Sequence, residues 1–148
     1  MIIKLLPKQI SKQWDIIRYG IMSVPSPIAD ISPEGVRNIL KHLLMGTVQC
    51  WALFEEDTIN GGEKITGFAL TTIADDLISG AKFLNIYDLF FLSVPSAGNF
   101  EAGLEALQEF ARANKCNKIT AYTKVAGIIK VTEKLGFNTD CRFIIKEL

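Results

Sequence analysis

The spacing of apolar positions changes several times along the chain, and each change marks an element. A short apolar run at residues 2–6 is closed by Pro7, after which Ile10, Trp14, Ile17 and Ile21 recur at helical spacing and predict one amphipathic helix. The segment 23–27, SVPSP, predicts a loop, because each proline disfavours the helical region for the residue before it. A second helix carries its own start and stop signals. Ser32 is placed to cap it, Pro33 fits the first helical position and Glu34 suits the positive end of the dipole. Val36, Ile39, Leu40, Leu43 and Leu44 form its buried stripe, and Gly46 is placed to end it.

From residue 48 the composition turns to that of strands. Residues 48–55 (VQCWALFE) and 64–74 (KITGFALTTIA) flank Asn60-Gly61-Gly62 and predict a β-hairpin. After a polar turn at 75–80, residues 83–94 are apolar on both faces, as in a strand inside a sheet. A Pro/Ser/Gly/Asn turn then leads into a third helix, marked by Phe100, Leu104, Leu107 and Phe110 and ending near Asn114. Residues 118–125 predict a fifth strand, Ile128, Val131 and Leu135 a short helix stopped by Gly136, and residues 141–148 a last strand. The order β-α-α-β-β-β-α-β-α-β predicts an α/β (α+β) fold in a single domain over 1–148: a central mixed, mostly antiparallel sheet with helices on both faces. The strand–helix–strand crossover makes the fourth and fifth strands parallel.

Charge narrows the partners. Lys plus Arg and Asp plus Glu number 16 each, so no global field draws in nucleic acid or an anionic membrane. No apolar run approaches the roughly 20 residues needed to span a bilayer, and IIKLLP after Met1 lacks the features of a signal peptide; the expectation is a soluble, cytoplasmic protein. Cys50, Cys116 and Cys141 are odd in number and widely spaced, which fits free thiols in a reducing compartment and gives no metal-ligand pattern.

The stretch 83–103, FLNIYDLFFLSVPSAGNFEAG, runs a strand into the amino end of a helix, an arrangement that offers backbone N–H groups to an anion. With Glu133-Lys134-Leu135-Gly136-Phe137 near the carboxyl end and the acidic-then-apolar run Tyr87-Asp88-Leu89-Phe90-Phe91, the element order resembles the GNAT superfamily of acetyl-CoA-dependent N-acetyltransferases over essentially the whole chain. The resemblance implies that a bulge splays the fourth strand from the fifth and that the pantetheine arm of acetyl-CoA enters the gap. It also implies that the diphosphate rests on the turn and helix start that follow. Leu92, Val94, Gly98, Asn99, Phe100 and Gly103 are the corresponding cofactor-binding candidates. Asp88 is the candidate general base and Tyr122, on the fifth strand, the candidate proton donor; their structural alternatives are a hydrogen-bonded carboxylate at a strand edge and a core-edge aromatic. His42, the one histidine, has no evident acid or nucleophile partner, and Cys116, Trp14 and Trp51 read as packing.

The motifs depart from the family where chemistry is expected. Aligning Gly103 with the last glycine of Q/R-x-x-G-x-G/A puts Gly98 at the Gln/Arg position and Glu101 at the first glycine, a carboxylate in what reads as the first helical turn. No Lys or Arg occurs between Phe83 and Ala111. Thr132 stands where the family often has an acidic tyrosine, and Val125 and Ile128 replace an asparagine and a small residue. Two functions follow. One is an N-acetyltransferase, in which a small-molecule or peptide amine attacks the thioester directly. The other is a non-catalytic relative, a structural or assembly module with protein partners or self-association, for instance in a larger complex or a virus particle.

Overall fold

The computed structural model describes residues 1–24, 31–123 and 125–146. Five strands form one sheet in the order β1 (Ile2–Lys4), β2 (Val48–Glu56), β3 (Glu63–Asp75), β4 (Lys82–Phe91) and β5 (Lys118–Ala121). Neighbours from β1 to β4 are antiparallel, and β4 pairs with β5 in parallel, the sense a helical crossover demands. Both hairpin tips repeat one device. Asp57 accepts from the N–H groups of Ile59 and Asn60 at 3.1 and 3.2 Å, and Asp76 accepts from those of Ile78 and Ser79 at 2.8 and 3.4 Å. The Asn60 side chain, donating from Nδ2 to Asp57 Oδ2 at 3.0 Å, and these backbone bonds hold both carboxyls below the usual carboxylate range, and glycines with positive φ, Gly61, Gly62 and Gly80, complete the turns.

Period-two alternation sends each strand's side chains to two separate cores. Cys50, Ala52, Phe68 and Leu70 meet Ile10, Ile17, Ile21 and Leu43 on one face; Trp51, Ala69 and Leu84 meet Leu107, Ala111 and Cys116 on the other. The first face is covered by α1 (Pro7–Lys12), α2 (Trp14–Ser23) and α3 (Pro33–Met45), and the second by α4 (Ala97–Ala113), which leads to β5 and then to α5 (Ala126–Lys134). Trp51 does anchor its core, its indole N–H donating to Thr71 Oγ1 at 2.9 Å, whereas Trp14 is half-buried at the edge of the other.

Some boundaries differ from the pattern. The expected first helix is two helices, because Gln13 turns the chain and its N–H is shared between the carbonyls of Gln9 and Ile10 at 3.0 and 3.1 Å. Ile10, Ile17 and Ile21 stay buried across the break, so burial held the stripe while the axis changed. Pro7 opens α1 at its first position. The α3 signals act as read: Ser32 Oγ accepts from the Gly35 N–H at 3.1 Å, and Gly46 ends the helix at φ 78°. The loop expected at 23–27 begins after Ser23 and Val24; its remaining residues lie outside those described. β4 ends at Phe91, short of Val94, and β5 ends at Ala121, short of Val125. The last strand expected from Cys141 does not form over residues 141–146. Strand composition acts only through pairing, and here Phe143 meets Tyr122 through its ring, with centroids 4.9 Å apart.

Candidate active site

Strand β4 changes register against β3: Leu70 faces Asp88 but Thr71 faces Ile86, which leaves Tyr87 as an extra residue on β4. Ile86 packs in the core beneath α4. Plain alternation would send Asp88 to that face as well. The bulge passes the position to Leu89 and turns Asp88 and Phe90 toward α2, where Phe90 meets the Tyr19 ring edge-on at 5.8 Å and covers Gly20. Parallel pairing with β5 stops at Ile86↔Ala121, the level of the bulge, so β4 beyond it has no strand neighbour on that side among the described residues. A cavity of about 400 Å³ occupies the opening, within the usual range for ligand sites. It reaches both faces of the sheet: Asp88, Phe90, Ser23 and Ile31 line one limb, and Ala69, Gly103 and Leu107 line the other, beneath α4.

Asp88 is 8% exposed, and its Oδ1 has no hydrogen-bond partner among the described residues. Burial pushes its carboxyl up to about 6, only partly opposed by the Leu89 N–H. Among the described residues it is the one charged side chain lining the cavity. Tyr122, the first residue after β5, lines the same cavity and leans on Phe143. Val125, Ile128 and Thr132, the positions at which the resemblance breaks, line it too. The Thr132 hydroxyl donates to the Ile129 carbonyl of its own helix at 2.9 Å.

The amino end of α4 is capped by Ser96, whose Oγ accepts from the Asn99 N–H at 3.3 Å and whose carbonyl accepts from the Phe100 N–H at 3.0 Å. That leaves the N–H groups of Ala97 and Gly98 for an anion. Close by, Asn99 Nδ2 donates to Glu55 Oε1 at 2.6 Å, which brings a carboxylate from β2 to the helix start. Glu101 is not in the first turn as the alignment suggested. The helix begins at Ala97, which makes Glu101 its fifth residue and Gly103 its seventh, inside the helix's own hydrogen-bond ladder.

Of the cofactor candidates, Phe100 and Gly103 line the cavity; Leu92, Val94, Gly98 and Asn99 lie outside it. The Leu92 N–H is engaged by the Thr66 carbonyl at 2.8 Å, and Val94 is 92% exposed. His42 lies in the last turn of α3 with its Nδ1 2.7 Å from Thr47 Oγ1, away from the cavity lining. Cys116 is buried in the core beneath α4. Sequence reasoning missed Glu55 and the contributions of Ile2 and Leu53, which read as ordinary strand positions. Only the order of strands in the sheet brings them under α4.

The architecture is the GNAT acetyltransferase fold, with its fourth and fifth strands parting at the bulge. Three solved structures with this fold are similar to the chain over its whole length. An acetyltransferase of Trypanosoma brucei is 20% identical, with 100% of this chain and 99% of that one covered at a TM-score of 0.66. Glucosamine-6-phosphate N-acetyltransferase from Arabidopsis thaliana is 17% identical over 99% and 97% of the two chains, also at 0.66. AAC(6')-Iy, solved in complex with the bisubstrate analog CoA-S-monomethyl-acetylneamine, is 18% identical over 100% and 97% at 0.68. No family model matches the sequence, and no curated protein matches it.

Proposed function

We propose that the protein is an N-acyltransferase of the GNAT type, transferring an acetyl-class acyl group from a coenzyme A thioester to a small-molecule or peptide amine. The observation that carries this reading is the bulge at Tyr87, which ends β4–β5 pairing and at the same level turns the buried carboxylate of Asp88 into the opening. The unpaired edge of β4 suits the amides of a pantetheine arm, and the likeness to a fold solved with a coenzyme A bisubstrate analog supports that occupant. The diphosphate is less well served. Among the described residues it meets two free N–H groups at the start of α4, with Glu55 beside them and no basic side chain lining the cavity.

In the reaction, the amine nitrogen attacks the thioester carbonyl, the new C–N bond forms and the C–S bond breaks. Asp88, ionised above about pH 6, takes the proton the nitrogen loses, directly or through water. The departing thiolate collects a proton from Tyr122 or solvent. Thr132, tied to the Ile129 carbonyl, is the weaker donor.

Titration calorimetry with acetyl-CoA at low salt, alongside desulfo-coenzyme A and free pantetheine, tests the donor, and an amine screen tests the acceptor. Micromolar binding and turnover that rises with pH through about 6 and is lost in Asp88→Asn are the expected results. No binding of any acyl-CoA thioester at millimolar concentration would favour the second reading, a non-catalytic assembly module, which the Glu55–Asn99 contact at the diphosphate position supports.

A further inference from the structure

The limb of the cavity beneath α4 leads away from Asp88 and is apolar throughout. Ile2, Leu53, Ala69 and Leu89 form its floor, one from each of the strands β1 to β4, and Leu104 and Leu107 lie above them. Ile2 is the cross-strand partner of Leu53, and Ala69 that of Leu89; Leu53 pairs with Gly67, two residues along β3 from Ala69, so the path crosses from β2 to β3 on the diagonal. From β4 to β1 is three strand spacings of about 4.8 Å, or roughly 14 Å. An acetyl group has one carbon beyond its carbonyl and leaves that path empty. Water would find no polar partners there, and a dry void forfeits the contacts of its lining.

The opening is confined to one end of α4. Toward its carboxyl end the helix is well packed, with Trp51 edge-on to Phe110 at 5.1 Å and Ala111 and Cys116 buried. Toward its amino end stands Gly103, in a position where alanine makes a better helix. No crowding requires the glycine: a Cβ there would meet only Ile2 Cδ1, at an ordinary 3.8 Å. The missing side chain leaves space over the path.

We propose that this limb is an acyl-chain pocket, and that the donor carries a linear acyl group of medium length in place of acetyl. A path of roughly 14 Å takes about eight to twelve carbons, given zigzag bonds of about 1.5 Å. The inference rests on the reading that a thioester enters between β4 and β5. The carbonyl then lies at the gap near Asp88, the tail runs under α4 toward β1, and bonds and protons balance as for acetyl transfer.

Binding of acetyl-, butanoyl-, octanoyl- and decanoyl-CoA to the full chain, each below its micelle concentration, tests the pocket. Affinity is expected to rise about fourfold per added methylene and to level off once the path is full. Gly103→Leu, which fills the limb, is expected to flatten that rise, while Gly103→Ala keeps most of it; thermal melts of both variants report on folding. Equal affinity for acetyl-CoA and decanoyl-CoA would overturn the pocket and leave acetyl transfer standing. Failure of every thioester to bind would overturn both. A rise that persists unchanged in folded Gly103→Leu would mean the chains adhere elsewhere, and would also overturn the pocket.

Discussion

Replacing Asp88 with asparagine should stabilise the protein at alkaline pH and abolish turnover. The carboxyl is buried, one oxygen is unpartnered among the described residues, and its pKa lies at about 6 against an ordinary 3.8. The folded state therefore holds this proton more tightly than the unfolded chain. Between those two values stability falls as pH rises, and above about 6 the full cost of a buried charge is present. At about 1.4 kcal/mol for each tenfold in proton affinity, that cost is roughly 3 kcal/mol at pH 8. An asparagine amide keeps an acceptor for the Leu89 N–H and leaves one polar group unpartnered, as the protonated acid does, so its own penalty changes little with pH. Urea unfolding of both proteins at pH 8, 6 and 4.5 should show an advantage for Asp88→Asn of about 2–3 kcal/mol at pH 8 that shrinks steadily toward pH 4.5. An advantage independent of pH, or a variant less stable at pH 8, would refute the burial argument. Greater stability with lost activity would mark a carboxylate kept at a cost for its chemistry.

Three further outcomes follow from the geometry. Gly67→Ala should cost about 1–3 kcal/mol in denaturant unfolding, because its Cβ would lie 2.6 Å from the Phe90 carbonyl oxygen on β4, whereas Gly20→Ala, whose Cβ would lie 2.7, 2.9 and 3.3 Å from Cδ1, Cγ and Cβ of Phe90, must push that side chain aside but gains helix propensity and should cost less; equal effects would contradict this. At pH 8 a thiol reagent should modify exposed Cys141 rapidly and Cys50 only on unfolding, since burial pushes the Cys50 thiol up to about 12, and fast reaction of two thiols in the folded protein would count against the core assignment. Glu55→Gln should tighten coenzyme A by up to about fivefold at low salt, the scale of one charge at a helix end, with the gain fading as salt is added; unchanged affinity would move the diphosphate away from α4.

Much of this was legible in the residues. The strand composition of β2 and β3, the capped start of α3 and the both-faced apolar run of β4 each signal locally, and the local signals agree with the sheet that forms. Asp88 and Tyr122 were singled out from their strand positions, and both line the cavity. What could not be read is set by contacts distant in sequence. Gln13 breaks a helix whose apolar stripe continues across it. The segment at 141–146 has strand composition without strand pairing. Glu55 reaches Asn99 across 44 residues of chain, a contact that no local pattern encodes. The start of α4 shifted because Ser96 captures the chain ahead of the residues that alignment placed at the phosphate.

The bulge on β4 makes Tyr87 a residue that counts by being present more than by what it is. Its side chain is 39% exposed, so most substitutions there should leave the sheet intact. Deleting it would let β4 pair with β3 without interruption: Asp88 would follow Ile86 directly and still face α2, and Leu89 would still face α4, but the irregularity at which β4 parts from β5 would be gone. The sheet would keep its strands and its carboxylate and lose the opening between β4 and β5. Drift in this lineage can therefore rewrite the letter at position 87 freely, but a single codon lost there would silence the site in one step.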